Sequence, residues 1–364
     1  MKTTLLKDTF LEKINTSLKF TSSKVISSNV LQGVCLLTDE NGLHFYSTNL
    51  SSYYHSMIKK EKLDKVKVVV EPKKISEFLS LVNTPSVDIE IKEKDLIISS
   101  GKTKGDFPLI DASEFPFPPK INSPKQKIKT SFFEKNLSTI LFSASSDETR
   151  PALTGINFVV KEDGLKIVST DGFRLSLLSL KRTEDVPSMI VPSQFLDEAI
   201  RLIKDEELLF SFSKEEKVLV FYGKEVDLYT RLIDGDYPPF ERVIPSEKKT
   251  TITISKSDLL RAVKLVSIFT RDVSNIIILK TENDEIVVMP KAGGEDVNVS
   301  KVEAKIDGEG QKIAFNYKFL TDFLSAAETE KIQIELLRGD APAVFKQVGV
   351  DNFLHIIMPV RIQD

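Results

Sequence analysis

The side chains that most often do chemistry in proteins are few in this sequence and widely separated. The chain contains three histidines, His44, His55 and His355, and one cysteine, Cys35. Metal sites need three or four such ligands at short spacing, and these four residues do not show it. The sequence therefore predicts no metal site, no cofactor and no disulfide framework.

Two short polar segments are the remaining candidates for catalysis. In SSGKTKG, residues 99–105, a phosphate-binding loop would need a second glycine five residues before Gly101, but Leu96 stands there. The segment SSDETR, residues 145–150, has acidic, hydroxyl and basic groups but no histidine base near it in sequence. We therefore predict no catalytic residues and keep an enzyme that uses the DETR segment as a competing hypothesis.

Composition limits the class of protein. The 364 residues include 50 basic and 53 acidic side chains, a formal net charge of −3, and 41% are hydrophobic. This predicts a folded protein with a buried core, and any nucleic-acid binding must come from a local basic face. No apolar run approaches the roughly 18 residues of a membrane span, and the N-terminal sequence lacks a signal-peptide pattern. We expect a cytoplasmic protein with no membrane partner.

The elements that must position any site occur as an internal repeat. VLQGVCLLTDENGLHFYSTNLSSY begins at Val30, and ALTGINFVVKEDGLKIVSTDGFRLSL begins at Ala152. Leu31 and Leu153, Gly33 and Gly155, Gly42 and Gly164, and Thr48 and Thr170 are all separated by the same 122 positions. A third, weaker copy is NIIILKTENDEIVVMP, which begins at Asn275. A period of this length predicts three similar domains rather than a solenoid.

The flanking segments repeat as well. FLEKINTSLKF, FFEKNLSTILF and DLLRAVKLVSIF each predict a helix, and VVVEPKKISEFLSLV, MIVPSQFLDEAIRLI and IAFNYKFLTDFLSAA each predict a strand followed by an amphipathic helix. The fold class is therefore α+β, with two helices and antiparallel sheets in each of three tandem domains. Segments rich in proline and lysine at 118–127 and 244–250 place the domains at residues 1–120, 121–246 and 247–364.

Four motifs in this order give a family resemblance. DETRPALTGINF, STDGFRLSL, RLIDGDYPPFERVIP and the C-terminal IIMPVRI resemble the bacterial DNA polymerase III beta subunits, the sliding clamps, over the full chain. The resemblance implies half of a closed ring, completed by a homodimer around double-stranded DNA without sequence preference. It also implies a non-catalytic processivity factor. The implied partners are the replicative DNA polymerase subunit, the clamp loader, and repair and translesion polymerases.

The turn between the repeated strands differs between copies. The first copy reads STNLSSYY where the second reads STDGFRLS. In the family this turn is part of a pocket for short linear motifs, with Leu175, Val243 and Met358 as expected anchors and three arginines at the rim. The pocket residues implied by the resemblance are Leu153, Thr170, Gly172, Phe173, Arg174, Leu175, Pro238, Arg242, Val243, Ile356, Ile357, Met358, Pro359, Val360 and Arg361. The alternative for these residues is a packed seam between domains.

Two further surfaces follow from the resemblance. The DNA-facing cations are expected to be Lys13, Lys24, Lys73, Lys74, Arg150, Arg201, Lys204, Arg261 and Lys264. The dimer interface is expected to join Phe107 and Leu109 of one copy to Ile268 and Phe269 of the other, because these apolar groups lie at candidate sheet edges.

The sequence also departs from the family pattern. Phe173 stands where many members have histidine, and Gln363 and Asp364 extend beyond the usual end. Both differences are expected to affect partner preference at the pocket. A monomeric three-domain adaptor that never closes into a ring is the alternative function.

Overall fold

A computed structural model describes residues 1–22, 29–162, 164–181, 186–272, 274–291 and 297–361. The chain divides into two compact units. The first contains Met1–Thr130 and Glu198–Leu232, and the second contains Ser131–Asp197 and Ile233–Asp364. No helix in the described part of the chain is long and apolar enough to cross a membrane.

The three thirds of the chain contain the same elements in the same order. The first third consists of β1 (Lys2–Leu6), α1 (Lys7–Leu18), β2 (Val34–Thr38), β3 (Gly42–Thr48), β4 (Ser52–Lys59), β5 (Lys67–Val70), α2 (Pro72–Leu81), β6 (Ser86–Ile91), β7 (Asp95–Ser100) and β8 (Thr103–Ile110). The middle third consists of β9 (Gln126–Lys129), α3 (Thr130–Leu137), β10 (Gly155–Lys161), β11 (Gly164–Thr170), β12 (Arg174–Leu180), β13 (Met189–Pro192), α4 (Ser193–Leu202), β14 (Glu207–Ser213), β15 (Val218–Tyr222) and β16 (Val226–Arg231). The last third consists of β17 (Thr250–Ser255), α5 (Lys256–Ser267), β18 (Ile276–Glu282), β19 (Glu285–Pro290), β20 (Ser300–Gly308), β21 (Lys312–Asn316), α6 (Tyr317–Ala326), β22 (Lys331–Leu336), β23 (Ala343–Gln347) and β24 (Phe353–Ile357). Short 3₁₀ helices cover Asn29–Gln32, Leu141–Ser143, Pro151–Thr154 and Phe240–Val243. The α+β class with two helices in each repeat is confirmed.

Two of the helices begin at residues that suit a helix N-terminus. Asn316 accepts a hydrogen bond from the Lys318 N–H at 3.0 Å at the start of α6, and α2 begins with Pro72, which has no N–H to satisfy. Helix α3 is shorter than its sequence pattern predicts. The Ser138 and Thr139 hydroxyls bond to backbone carbonyls at its end, a competition that commonly weakens helices.

One glycine in each of the first two repeats shows that the repeats share backbone geometry. Gly42 and Gly164 each open the second strand of a hairpin with φ of +154° and +146°. A Cβ at either position would lie 2.2 Å from a carbonyl oxygen, that of Ile58 or Leu180. Any other residue would meet both backbone strain and a backbone clash, so both copies require glycine.

The strands form two antiparallel sheets of twelve strands, each within one unit. The first has the order β1-β6-β7-β8-β5-β2-β3-β4-β16-β15-β14-β9, and the second has the order β13-β10-β11-β12-β24-β23-β22-β17-β20-β19-β18-β21. Two pairings join neighbouring thirds of the chain: β4 pairs with β16, and β12 pairs with β24. The sheets therefore run across the expected limits of the thirds, and the domain boundaries at 120 and 246 stay a prediction.

The cores form where the helices cover one face of each sheet. In the first unit Phe10 of α1 packs against Phe45 of β3, with ring centroids 5.8 Å apart. In the second unit Phe323 of α6 packs against Phe345 of β23 at 5.5 Å. All four rings are fully buried, so each unit carries an aromatic core between its helices and its sheet.

We predict that Gly42→Ala and Gly164→Ala each lower the urea midpoint of unfolding markedly. Backbone strain alone costs about 1–3 kcal/mol, and the carbonyl contact adds to it. Gly310→Ala is the control, because its Cβ would have only the Thr281 hydroxyl within reach, at 3.9 Å. Equal midpoints for all three variants and the parent chain would contradict this account of the repeat.

Candidate functional site

The turn between β11 and β12 uses the same hydrogen bonds as its counterpart between β3 and β4. Asp171 Oδ1 accepts the N–H groups of Phe173 at 2.8 Å and Arg174 at 2.9 Å. In the first repeat Asn49 Oδ1 accepts the two equivalent N–H groups at 3.0 and 2.8 Å. The scaffold is therefore shared, and only the side chains that it displays differ between the copies.

Gly172 brings an arginine to this turn. Its φ is +93°, and a Cβ there would lie 3.2 Å from an Nη of Arg150. The Arg150 guanidinium is also bound to Asp147 at 3.2 Å. This arginine, which the sequence analysis assigned to the DNA-facing set, therefore lies beside the turn of the candidate pocket. The contact was missed because the two residues are 22 positions apart in different loops.

Arg174 is a largely buried, ion-paired part of the site and not an open cation at its rim, which corrects one expectation. Its guanidinium donates to Asp171 Oδ2 at 3.0 Å and to Asp322 Oδ2 at 2.5 Å. It also lies 4.7 Å from the ring centroid of Phe319, and the side chain is largely buried. Charge-assisted bonds of this kind fix a side chain in place.

The C-terminal segment is fastened to the turn by backbone pairing. Arg174 pairs with Ile357, and the Met358 N–H donates to the Phe173 carbonyl at 2.8 Å. Beyond Met358, the Val360 N–H donates to the Ala314 carbonyl at 2.8 Å. The Val360 side chain packs against the core cluster of Ile278, Val287, Met289 and Ala314. Val360 therefore anchors the segment, and its place in the pocket stays a prediction.

The apolar residues expected to anchor a partner are not equally accessible. Leu175 and Ile356 belong to a buried cluster with Val168, Leu177, Phe240 and Val344. Leu153, Thr170 and Ile357 are also buried. Leu175 is therefore part of the floor and not an open anchor, which corrects its expected role. The floor still matters, because it holds the segment from Pro238 to Val243 through Phe240.

The open surface of the site is smaller and includes Phe173. Phe173, Val243 and Met358 are 59%, 38% and 37% exposed, although apolar side chains of this size are usually buried. Pro238 is also exposed, and Pro359 is half-buried. Arg242 and Arg361 are exposed, and neither forms an ion pair with a carboxylate in the described residues. We define Phe173, Val243, Met358, Arg242 and Arg361 as the groove set.

The DETR segment folds upon itself. Asp147 Oδ1 accepts the Thr149 N–H at 3.0 Å and its hydroxyl at 2.7 Å, and Oδ2 accepts from Arg150. The Thr149 bonds are the main reason that the pKa of Asp147 is lowered. The polar groups of the DETR segment therefore hydrogen-bond to one another in a turn, which is typical of a structural loop.

Lys13 is wrongly assigned to the DNA-facing set. Its side chain is only 6% exposed, and its ammonium lies 3.2 Å from Glu225 and 3.6 Å from Glu12. Sequence reasoning missed this ion pair because Glu225 is far from Lys13 in sequence, on the turn between β15 and β16. Lys24 lies outside the described residues.

The other candidate cations are exposed, and several have partners. Lys74 lies 3.1 Å from Glu71, and Arg261 lies 3.6 Å from Asp258. Lys204 donates to the Ile200 carbonyl at 2.9 Å. Lys73, Arg201 and Lys264 are exposed on α2, α4 and α5. Their contact with DNA stays a prediction.

The expected dimer residues divide into two groups. Ile268 and Phe269 are half exposed at the end of α5, as an interface requires. Phe107 is buried against Phe78 within the chain, with ring centroids 5.6 Å apart, so its side chain offers little open apolar surface, and its place in the dimer interface stays a prediction. Leu109 is half-buried and pairs with Val70 of β5.

One exposed residue near Phe107 was missed. Leu81 is almost fully exposed on α2, one helical turn after the Phe78 that covers Phe107. A leucine at the end of an amphipathic helix gave no sequence signal of exposure.

Two of the histidines meet, which their sequence spacing did not suggest. His44 Nδ1 lies 3.0 Å from His55 Nε2. In the described residues no group of three or more His, Cys, Asp or Glu side chains is placed to hold a metal. Cys35 is buried, and burial raises the pKa of its thiol to about 12.

Comparison with known proteins agrees with the repeat. The N-terminal, central and C-terminal domain models of the DNA polymerase III beta subunit match residues 1–119, 127–239 and 241–361. Together with three copies of one α+β repeat, these matches define a three-domain sliding clamp. The chain belongs to the DNA polymerase III beta subunit family, as its motifs predicted.

Individual relatives span the whole chain. The Beta sliding clamp of Bacillus subtilis strain 168 is 28% identical over 379 residues, covering 99% of this chain and all of that protein. That of Streptococcus pneumoniae TIGR4 is also 28% identical, covering 98% of both. The crystal structure of the B. subtilis DNA polymerase sliding clamp has a TM-score of 0.87 at 26% identity, over 100% of both chains. A beta subunit structure from Thermotoga maritima, at 23% identity and a TM-score of 0.88, agrees in fold.

We predict that the adjacent residues Phe173 and Arg174 behave differently when truncated. Arg174→Ala removes two charge-assisted hydrogen bonds and should lower the free energy of unfolding by about 1–3 kcal/mol. Phe173→Ala changes an exposed side chain and should stay within about 0.5 kcal/mol of the parent. Urea unfolding followed by circular dichroism measures both. A Phe173→Ala variant as unstable as Arg174→Ala would contradict the placement of the turn.

Proposed function

We propose that two copies of this chain close into a ring around double-stranded DNA and act as a non-catalytic processivity factor. The observation that carries this proposal is the repeated seam between thirds of the chain. In each seam the fourth strand of one repeat pairs with the last strand of the next, β4 with β16 and β12 with β24. The equivalent strands that take no part in these two seams are β20, the fourth strand of the third repeat, and β8, the last strand of the first repeat.

Among the described residues, each of these two strands has a stretch that is paired on one side only. Residues Thr103–Pro108 of β8 pair with β7, whereas β5 reaches only Leu109 and Ile110. Residues Ser300–Glu303 of β20 pair with β19, whereas β17 pairs with the later residues of that strand. Long unpaired edges attract another strand. A third seam, between β20 of one copy and β8 of the other, supplies that strand, and two such seams close a six-repeat ring.

Exposed apolar side chains support the same seam. Helix α5 packs on β19 and β20, and its C-terminal end displays Leu265, Ile268 and Phe269. On the other side of the proposed seam, α2 displays Leu81 beside the Phe78–Phe107 pair. Apolar groups at both edges would be buried together in the dimer.

The candidate inner surface suits a ring that slides. Lys74 lies 3.1 Å from Glu71, the residue before α2, and Arg261 lies 3.6 Å from Asp258 on its own helix. Cations neutralised in this way displace few counterions from DNA, so binding to phosphates is weak. A ring retains DNA by enclosing it and therefore does not need tight contacts.

The groove set fits a short peptide from a replication or repair protein. Phe173, Val243 and Met358 offer apolar contact, and Arg242 and Arg361 offer charge around it. A few apolar anchors with polar groups beside them are typical of peptide-binding grooves. The proposed occupants are motifs of the replicative polymerase, the clamp loader, and repair and translesion polymerases, in the cytoplasm. A glutamine and two bulky apolar residues are expected in such a motif.

Ring closure predicts a dimer of about 82 kDa, twice the 40.9 kDa chain. Changing Ile268 to Ala together with Phe269 to Lys should give monomers, because a charge replaces an apolar contact at the seam. Val348→Lys is the matched control, since Val348 is a similarly exposed apolar residue on the β23–β24 turn. Light scattering after gel filtration measures the mass. A parent chain that runs as a monomer would favour the adaptor function instead.

Binding to linear duplex DNA should be weak and lost by about 0.2 M salt, with no sequence preference. Replacing Lys73 and Lys264 by alanine should make the salt dependence shallower, by about 0.9 in log–log slope for each phosphate contact removed. Lys346→Ala is the control, because that ammonium is held 2.8 Å from Glu335 on the sheet. Tight sequence-specific binding to short linear DNA would contradict the proposal.

A labelled motif peptide should bind with a dissociation constant near the micromolar range, about −8 kcal/mol. Met358→Ala should weaken binding about tenfold, because burying such a side chain contributes about 1.5–3 kcal/mol. Val243→Ala should weaken it less, and the control Val348→Ala not at all. Fluorescence anisotropy measures the peptide affinity of each variant, after light scattering has shown that its oligomeric mass equals that of the parent. Unchanged affinity in Met358→Ala would remove the groove set from the binding site.

A further inference from the structure

Four side chains form a continuous hydrogen-bonded chain across the seam between β4 and β16. Asp39 Oδ1 lies 2.8 Å from His44 Nε2, and His44 Nδ1 lies 3.0 Å from His55 Nε2. His55 Nδ1 lies 3.1 Å from Asp227 Oδ2. His55 and Asp227 are directly opposite each other in the β4–β16 pairing. The row of side-chain hydrogen bonds therefore crosses the seam next to the backbone hydrogen bonds of the two strands.

Only one protonation state of the two imidazoles satisfies all three contacts between these four side chains. Each of its three contacts is a hydrogen bond only if one proton lies between the two atoms. The carboxylates are acceptors, and the hydrogen bond from His44 lowers the pKa of Asp39 to about 2, so the protons must come from the imidazoles. Two neutral imidazoles carry two protons, and two imidazolium ions carry four. Only a pair with three protons satisfies all three contacts.

The other protonation states leave one contact broken. With two protons, two lone pairs face each other between the rings, or one ring nitrogen faces a carboxylate without a proton. With four protons, two N–H groups face each other between His44 and His55. Both conflicts occur at hydrogen-bond distance, where an unmade bond costs most.

Neighbouring aromatic rings restrict how the four hydrogen-bonded side chains from Asp39 to Asp227 could rearrange. Tyr46 is stacked on His55 with ring centroids 4.4 Å apart, and Phe117 packs edge-on against Tyr46 at 5.0 Å. A cavity of about 490 Å³ lined by His55 and Asp227 opens on the other side, which gives the protons access to solvent. The charged and titratable groups around these four side chains come from several neighbouring elements. They are Lys13 of α1, Cys35 of β2, Tyr46 of β3, Lys59 of β4, Lys67 of β5, Lys125 and Lys127 at β9, Asp205, Glu206 and Glu207 at the start of β14, Tyr222 of β15, Lys224 and Glu225 of the following turn, and Tyr229 of β16.

We propose that His44 and His55 form a proton-binding site that holds one proton between their rings, and that this shared proton helps to fasten β4 to β16. The bound species is a proton, and the site is the four-residue chain from Asp39 to Asp227. Because the chain crosses the seam, the strength of this seam depends on how many protons the pair holds.

Nitrogen NMR of the intact protein can count the protons directly. The sequence contains three histidines, so labelling histidine rings with ¹⁵N gives only three ring systems. His355 is an internal reference for a neutral ring, because burial lowers its pKa to about 3. At pH 7 we expect three of the four ring nitrogens of His44 and His55 to carry protons. In His55→Gln, whose amide can donate to His44, only Nε2 of His44 should remain protonated.

Each alternative count overturns the proposal. One proton on each ring means that both imidazoles are neutral, and two on each ring means that no proton is shared. The count in the parent chain stands even if the His55→Gln variant does not fold.

A second measurement tests the link to the seam. Over the pH range in which the NMR count falls from three protons to two, amide hydrogen exchange of β4 and β16, relative to that of β11 and β12, should become about tenfold faster in the parent chain. In the His44→Gln, His55→Gln double variant the ratio should stay constant over the same range. A constant ratio in the parent chain would show that the proton does not fasten the seam.

Discussion

The structure depends on one constraint: the last strand of each repeat has an edge that must be paired. Within the chain β16 pairs with β4, and β24 pairs with β12, so the last strands of two repeats are paired with a neighbouring repeat. The backbone bonds of these seams turn separate domains into two continuous sheets of twelve strands. In the described residues the same rule leaves part of β8 and part of β20 paired on one side only, and the proposed closure with a second copy would pair these edges.

The candidate peptide site is a product of the second seam. Pairing of Arg174 with Ile357 brings the C-terminal segment to a turn that the first repeat also possesses. At the first seam the equivalent turn carries Ser51 and Ser52, whereas the second carries Phe173 and Arg174. Both turns have an exposed apolar side chain, Leu50 at 44% and Phe173 at 59%, but only the second turn is paired with the C-terminal segment. The floor of the candidate site is rigid because Leu175, Phe240 and Ile356 are buried together, and its exposed part is limited to a few side chains.

Sequence reasoning succeeded where the repeat carried the information. The constant separation of Gly42 from Gly164 and of Thr48 from Thr170 predicted the repeated elements and turns, and the four motifs predicted the family. It failed where the answer depended on a distant partner. Lys13 is buried because Glu225 reaches it, and Arg150 lies at the groove because Gly172 leaves space for it. In the β3–β4 hairpin His44 is opposite Met57 and His55 is opposite Tyr46, so the two histidines are diagonal neighbours, a contact that only the hairpin register reveals.

The central claim, closure of a ring around DNA, is tested most directly by topology. The protein is loaded onto nicked circular DNA by a clamp loader, the complex is separated by gel filtration in high salt, and the circle is then cut once. The account predicts that protein stays with the circle in salt that abolishes binding to linear duplex, and that it leaves when the circle is cut. Protein that dissociates from intact circles as fast as from linear DNA, or stays after cutting without blocked ends, would contradict it.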